Sequence, residues 1–135
     1  MISRSPGDLE PVLQTMLENA TRICEAKFAH IYLHDGDAFR IAAHHNTPPA
    51  LVEERTRTPY RPGPKTPLGR MASTKQLVHV IDLAAWPSYL DRSSLVTAVE
   101  RAGVRTLLQV PMLKENELIG AVSIYRQEVR PFILP

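Results

Sequence analysis

A chain of 135 residues with 44% apolar side chains and 16 basic against 14 acidic residues is long enough for one domain with its own core. Its lysines and arginines are scattered singly, without a basic face or an aromatic-interleaved stripe, which argues against a nucleic-acid partner. No run reaches the roughly 18 apolar residues of a membrane span, MISRSPGDLE lacks a signal-peptide core, and a single cysteine excludes an intrachain disulfide and any Cys-x-x-Cys zinc or redox motif. A cytoplasmic domain that makes no membrane contact is the default expectation.

Asp8 follows Pro6 and Gly7 as a good N-cap, and Pro11 falls in the first turn of the helix it would start. Leu9, Val12, Leu13, Met16, Leu17, Ala20, Ile23 and Cys24 then recur at helical spacing and predict one apolar stripe. Glu10, Gln14, Glu18, Arg22 and Glu25 form the wet face. Burial against the chain's own sheet is the expected use of the stripe, with a parallel dimer seam as the second. Residues 28–34 alternate, with Ala29, Ile31 and Leu33 on one face and Phe28, His30, Tyr32 and His34 on the other. Asp35, Gly36 and Asp37 make a turn, and Phe39, Ile41 and Ala43 resume the alternation to His45, which completes a hairpin.

Pro49 starts a short helix over residues 50–55, whose charges suggest a surface position. Residues 56–66, TRTPYRPGPKT, are too rich in proline for a helix or strand interior and predict a stiff, extended loop. A short helix over 68–74 follows Pro67. A strand over 77–83 then sets Leu77, His79, Ile81 and Leu83 against Val78, Val80 and Asp82. Residues 84–93 are irregular and hold the only tryptophan, and Ser94 caps a helix over 95–102 that Gly103 stops.

The two runs 106–113 and 118–125, joined by the polar turn Lys114, Glu115 and Asn116, read as a second hairpin. Leu107, Leu108, Val110, Leu118, Ile119, Val122 and Ile124 put apolar side chains on both of its faces, which predicts central strands covered on both sides. Gly120 leaves room for a close approach, and Pro111 predicts a bulge or a gap in pairing. The fold class expected is α/β (α+β): an antiparallel sheet of five or six strands, the long helix on one face, and residues 49–103 over the other, where a pocket can form.

The segments AHIYLHDGDAFRIAAHH, PLGRMASTKQLVHVIDL and GVRTLLQVPMLKENELIGAVSIYRQEVRPF, in that order after an opening helix, closely resemble a GAF domain. GAF domains are the small-molecule sensing modules of many signalling proteins, and the likeness here is to those of bacterial sensor histidine kinases and nucleotide cyclases, over residues 8–132. The resemblance implies that residues 1–135 are a single GAF domain and a non-catalytic sensory or regulatory input module. In such proteins a further helix follows a segment like 126–132. Its absence from this chain suggests a fragment of a larger signalling protein, with the apolar stripe of the first helix partly uncovered and homodimerisation through the helices.

Relatives with chemistry need cysteine: sulfoxide reductases of this fold use it at the pocket, and bilin-binding members attach chromophore through it. Cys24 lies on the helix stripe instead, so neither covalent bilin nor thiol redox catalysis is expected, and the cofactor is left unknown. His30, His34, His44, His45 and His79 come from three strands with no carboxylate in a ligand motif, and of these His79 is the pocket candidate. Asp82, Trp86 and Tyr89 resemble the part of GAF domains that lines a ligand pocket, with Tyr60 and Arg61 as further candidates. The alternative is that Trp86 and Tyr89 pin a loop while Asp82 caps a turn. Two functions therefore stand, a small-molecule sensor and a ligand-free structural or dimerisation module.

Overall fold

The two apolar runs near the C-terminal end pair as β4 (Thr106–Lys114) and β5 (Glu117–Arg126), and β5 is the middle strand of the sheet. This computed structural model describes residues 6–87 and 97–133. The first hairpin, β1 (Phe28–Asp35) and β2 (Ala38–His45), flanks β5 on one side, and β4 with the short β3 (Val78–Val80) flanks it on the other. The sheet has five strands in the order β2-β1-β5-β4-β3, and every neighbouring pair is antiparallel.

Gly120 explains how β1 and β5 come so close. A Cβ built there would stand 2.4 Å from the carbonyl oxygen of Tyr32. Pro111 pairs regularly with Ala121, and the expected irregularity falls one step later, between Met112 and Leu113, where Ile119 is the extra residue on β5. The turn between the strands is made by Glu115 and Asn116, both with positive φ (52° and 66°).

Two cores lie on the two faces. Helix α1 (Pro6–Ile23) lays Leu13 and Leu17 on Ala29, Ile31, Ala43, Leu108 and Ile124. It starts before Asp8, which therefore sits in the first turn rather than at the cap. The apolar stripe divides: Leu13 and Leu17 are buried, while Val12 and Ile23 are 56% and 72% exposed. Arg126 closes the C-terminal end of α1, since Nη2 donates to the carbonyls of Cys24 (2.9 Å) and Glu25 (3.3 Å) and Nη1 to that of Arg130 (2.6 Å).

The opposite face is covered by α2 (Pro49–Arg57), α3 (Pro67–Thr74), a 3₁₀ turn at Leu83–Ala85 and a π-helical turn at Thr97–Arg101. Ser94, the expected cap, lies outside the described residues. Gly103, with φ of 72°, ends the turn as expected.

Two strands depart from simple alternation. Ile31 pairs with Ala43 but Tyr32 pairs with Ile41, so a bulge at Ala42 sends Ala43 toward α1 while Phe39 and Ile41 join the other core. The strand expected over 77–83 pairs only at Val78–Val80. Asp82 then caps the 3₁₀ turn, which rotates Leu83 into the core with Val78 and Val80 and away from the face of His79. The helix expected over 50–55 runs to Arg57 and is not a surface element, because Leu51 and Arg55 are buried.

Candidate functional site

Hydrophobic strands that carry buried polar residues must satisfy them locally, and three such residues lie side by side here. His30 on β1 pairs with Ser123 on β5, and Ser123 pairs with Gln109 on β4. The row crosses the middle of the sheet on the face away from α1, and Ser123 Oγ donates to Gln109 Oε1. Above it lies a cavity of about 40 Å³, roofed by Leu51 and Arg55 of α2, by Pro67 and Leu68 at the start of α3, and by Leu83. Tyr32, Tyr60 and Tyr125 supply aromatic walls.

Local sequence fixes each part of the roof. Leu51 and Arg55 are four residues apart, so one helix face delivers both to the cavity. Tyr60 is held in the proline-rich loop by a two-residue bridge to Phe39, with N–H···O bonds of 2.8 Å in each direction. Thr66 caps α3 by accepting from Gly69 N at 3.1 Å, and Pro67 occupies the first helical position, where no donor is needed.

Arg55 supplies the positive charge of this cavity. Its guanidinium carbon stands 3.8 Å over the Tyr60 ring, and Nη1 donates to Glu54 Oε2 at 2.6 Å. Burial works against that charge, yet Tyr32, Tyr60 and Glu54 together raise the pKa above its ordinary value, so Arg55 stays protonated. Burial, with Arg55 and His44 adding to it, pushes His30 down to about 3, which leaves a neutral imidazole. Burial pushes Tyr32 up to about 12 and raises Tyr125 as well, so both phenols keep their protons at neutral pH. Among the described residues, His30 Nδ1 and Arg55 Nε are buried without a hydrogen-bond partner, and the Tyr125 hydroxyl has Thr47 near it but no well-formed hydrogen bond. Among the described residues, no Asp or Glu lines the cavity.

Of the residues singled out from sequence, Tyr60 lines this cavity. Arg61 is exposed outside it, with Nε 3.2 Å from Asp37 Oδ1. His79 lies apart: its Nε2 accepts from Phe132 N at 3.1 Å, and burial followed by Arg126 lowers its pKa. Asp82 accepts two bonds of 2.8 Å from Arg105 and one of 3.0 Å from Ala84 N. The Arg105 hydrogen bonds hold its carboxyl below the usual range. Trp86 Nε1 donates to Lys65 O at 2.6 Å, and Arg70 stands 4.8 Å from its ring, so Asp82 and Trp86 fasten turns and loops. Tyr89 lies outside the described residues.

Sequence reading missed Arg55, Tyr125, Ser123 and Gln109 and ranked His30 below His79. The signal for Arg55 was its spacing from Leu51. For Gln109 and Ser123 it was a polar residue interrupting each greasy run. Cys24 packs against the α1-side core, across the sheet from the cavity. Among the described residues, no group of three His, Cys, Asp or Glu could hold a metal, and no helix is long and apolar enough to cross a membrane.

Residues 8–134 match the family model of the GAF domain. No curated protein matches the chain. Among solved structures it is similar to the GAF domain of a phosphoenolpyruvate-protein phosphotransferase from Coxiella burnetii, at 15% identity over 93% of this chain and 71% of that one, with a TM-score of 0.71. The NreA protein of Staphylococcus aureus, mutated in its nitrate binding site, is similar at 14% identity over 93% and 90%, with a TM-score of 0.70. A type II free methionine-R-sulfoxide reductase from Thermoplasma acidophilum is similar at 13% identity over 92% and 78%, with a TM-score of 0.67. At these identities the structures speak for the fold, and the match of the family model over nearly the whole length establishes that this chain belongs to the GAF domain family.

Proposed function

We propose that this GAF domain is the non-catalytic sensory input module of a bacterial signal-transduction protein, of the sensor histidine kinase type, and that it binds a small molecule in the cavity over the β1, β5 and β4 row. The observation that carries this reading is the set of buried polar atoms on His30, Arg55 and Tyr125, none with a well-formed hydrogen bond among the described residues, on side chains that line one cavity. Buried polar atoms left without partners cost about 1–3 kcal/mol each, so a molecule that satisfies them binds with a gain that a self-filled core would not offer.

Two comparisons bear on the reading. The NreA neighbour carries a nitrate binding site, so this fold accommodates a ligand of few atoms. Another neighbour is a free methionine-R-sulfoxide reductase; a reductase working through a thiol would need cysteine at the pocket, whereas the one cysteine here packs on the far side of the sheet from the cavity. Binding would alter α2 and the loop that carries Tyr60, and through β1 it would reach α1, whose exposed row of Val12, Met16 and Ile23 offers a seam for a second copy. A thermal-shift screen with amino acids, nucleotides, neutral metabolites and small anions tests this. A ligand at a hundred times its Kd adds about 2.7 kcal/mol of stability. A screen in which no compound moves the melting temperature would favour the ligand-free structural module.

A further inference from the structure

We infer that the ligand is a compact oxyanion or one-carbon to two-carbon carboxylate carrying a single negative charge, held by Arg55 and by the hydroxyl of Tyr125 and the ring of His30. The inference rests on the small-molecule reading above and narrows it to one chemical class.

Size comes first. A cavity of about 40 Å³ is small. It suits formate, acetate or bicarbonate, whereas a nucleotide, a haem or a bilin would need the roof to open.

Charge comes next. Arg55 is 5% exposed and lines the cavity, and its one anionic partner among the described residues, Glu54, sits outside the lining with a side chain 39% exposed. A guanidinium taken this far from water is strongly favoured to meet an anion inside the cavity, where the local dielectric is low. Among the described residues, the lining contributes no carboxylate that could compete for it or repel an incoming negative charge.

Hydrogen-bonding polarity then agrees with charge. Arg55 Nε–H can only donate. The Tyr125 hydroxyl is buried and neutral, with Thr47 near it but no well-formed hydrogen bond among the described residues, and it has a proton to give. His30 is neutral with Nδ1 unpartnered, and its one ring proton can be carried there. Three donors from β1, β5 and α2 suit a ligand made mostly of acceptor oxygens. A cation would meet the Arg55 charge, and a neutral apolar molecule would leave all three polar atoms unsatisfied. Charge-assisted bonds to Arg55 and shorter bonds to the phenol would together fix a planar, trigonal group.

The test titrates the protein, freed of small anions by dialysis, with formate, acetate, nitrate and bicarbonate against chloride at equal ionic strength, reading melting temperature and binding heat. At least one of the four is expected to give a saturable shift that chloride does not reproduce. Tyr125→Phe keeps the ring and removes one donor, and is expected to weaken that binding at least about tenfold. Arg55→Met is expected to abolish it, while Arg70→Met, outside the cavity on α3, leaves it unchanged. If Arg55→Met fails to fold, Tyr125→Phe alone decides. Equal binding by wild type and Tyr125→Phe, or no shift from any of the four anions, overturns the inference. A shift from a neutral metabolite without one from any anion would sink the anion class while leaving the sensor intact. No shift from any compound would sink both.

Discussion

His30 is held neutral in a place where its ordinary pKa would make it half charged near neutrality. Its pKa of about 3 in the fold, against 6.5 for the free side chain, is caused first by burial and then by the neighbouring Arg55 and His44. Above pH 6.5 neither the folded nor the unfolded chain carries a proton on it, and stability is unaffected. Between pH 6.5 and 3 the unfolded chain takes up a proton that the folded one refuses, so stability falls as pH falls. At pH 5 the loss is about 2 kcal/mol. His30→Gln removes this component, and urea unfolding at pH 7.5 and pH 5 should show a drop smaller by about that amount in the variant. An identical drop in both proteins would mean that His30 is not buried as described. Arg55 teaches a related lesson about reading single residues. In PALVEERTR the charges outnumber the apolar residues, and a charged helix reads as a surface helix. Burial of one arginine among them depends on the Tyr60 ring arriving from a separate loop, which local pattern does not encode.

The elements were more legible than the residues, because strand and helix periodicity is local while faces depend on how many residues each strand contributes. The hairpin of β4 and β5 was readable at the centre of the sheet from its apolar residues on both faces. The bulge at Ala42 was not, since a single extra residue moves Ala43 to the opposite face from Phe39 without altering the alternation in the sequence. Gly120 was readable as a close approach, and its partner is now identified. Adding a methyl there would bring Cβ to 2.4 Å from a backbone oxygen of β1, which cannot swing aside as a side chain can. Gly120→Ala should therefore cost at least about 2 kcal/mol of stability. Gly63→Ala is the contrast, because nothing lies within 4 Å of the added atom. Its effect should stay within about 0.5 kcal/mol. Chemical denaturation of the two variants side by side checks both, and a Gly120→Ala protein as stable as wild type would show that β1 and β5 are spaced more widely.

At the scale of the whole molecule, the sheet separates a core that the chain completes by itself from one that encloses a cavity, and the unfinished surface lies on neither. It lies on the outer side of α1. The stripe read from sequence as one face is in fact two adjacent rows. Leu13, Leu17, Ala20 and Cys24 meet the sheet, whereas Val12, Met16 and Ile23 fall beside them, with Asn19 completing their alternating spacing of four and three. That spacing is the one at which two helices interlock, and a row that repeats identically in a second copy can pair about a two-fold axis. Val12→Glu with Met16→Glu should consequently abolish a concentration-dependent dimer in sedimentation velocity. The two side chains are 56% and 43% exposed, so stability should change by no more than about 0.5 kcal/mol per site. Ligand shifts at the cavity should persist in the double variant, because neither Val12 nor Met16 lines it. Loss of folding on these substitutions would mean that the outer row is buried after all, and a wild-type chain that stays monomeric at high concentration would leave α1 without a role in pairing.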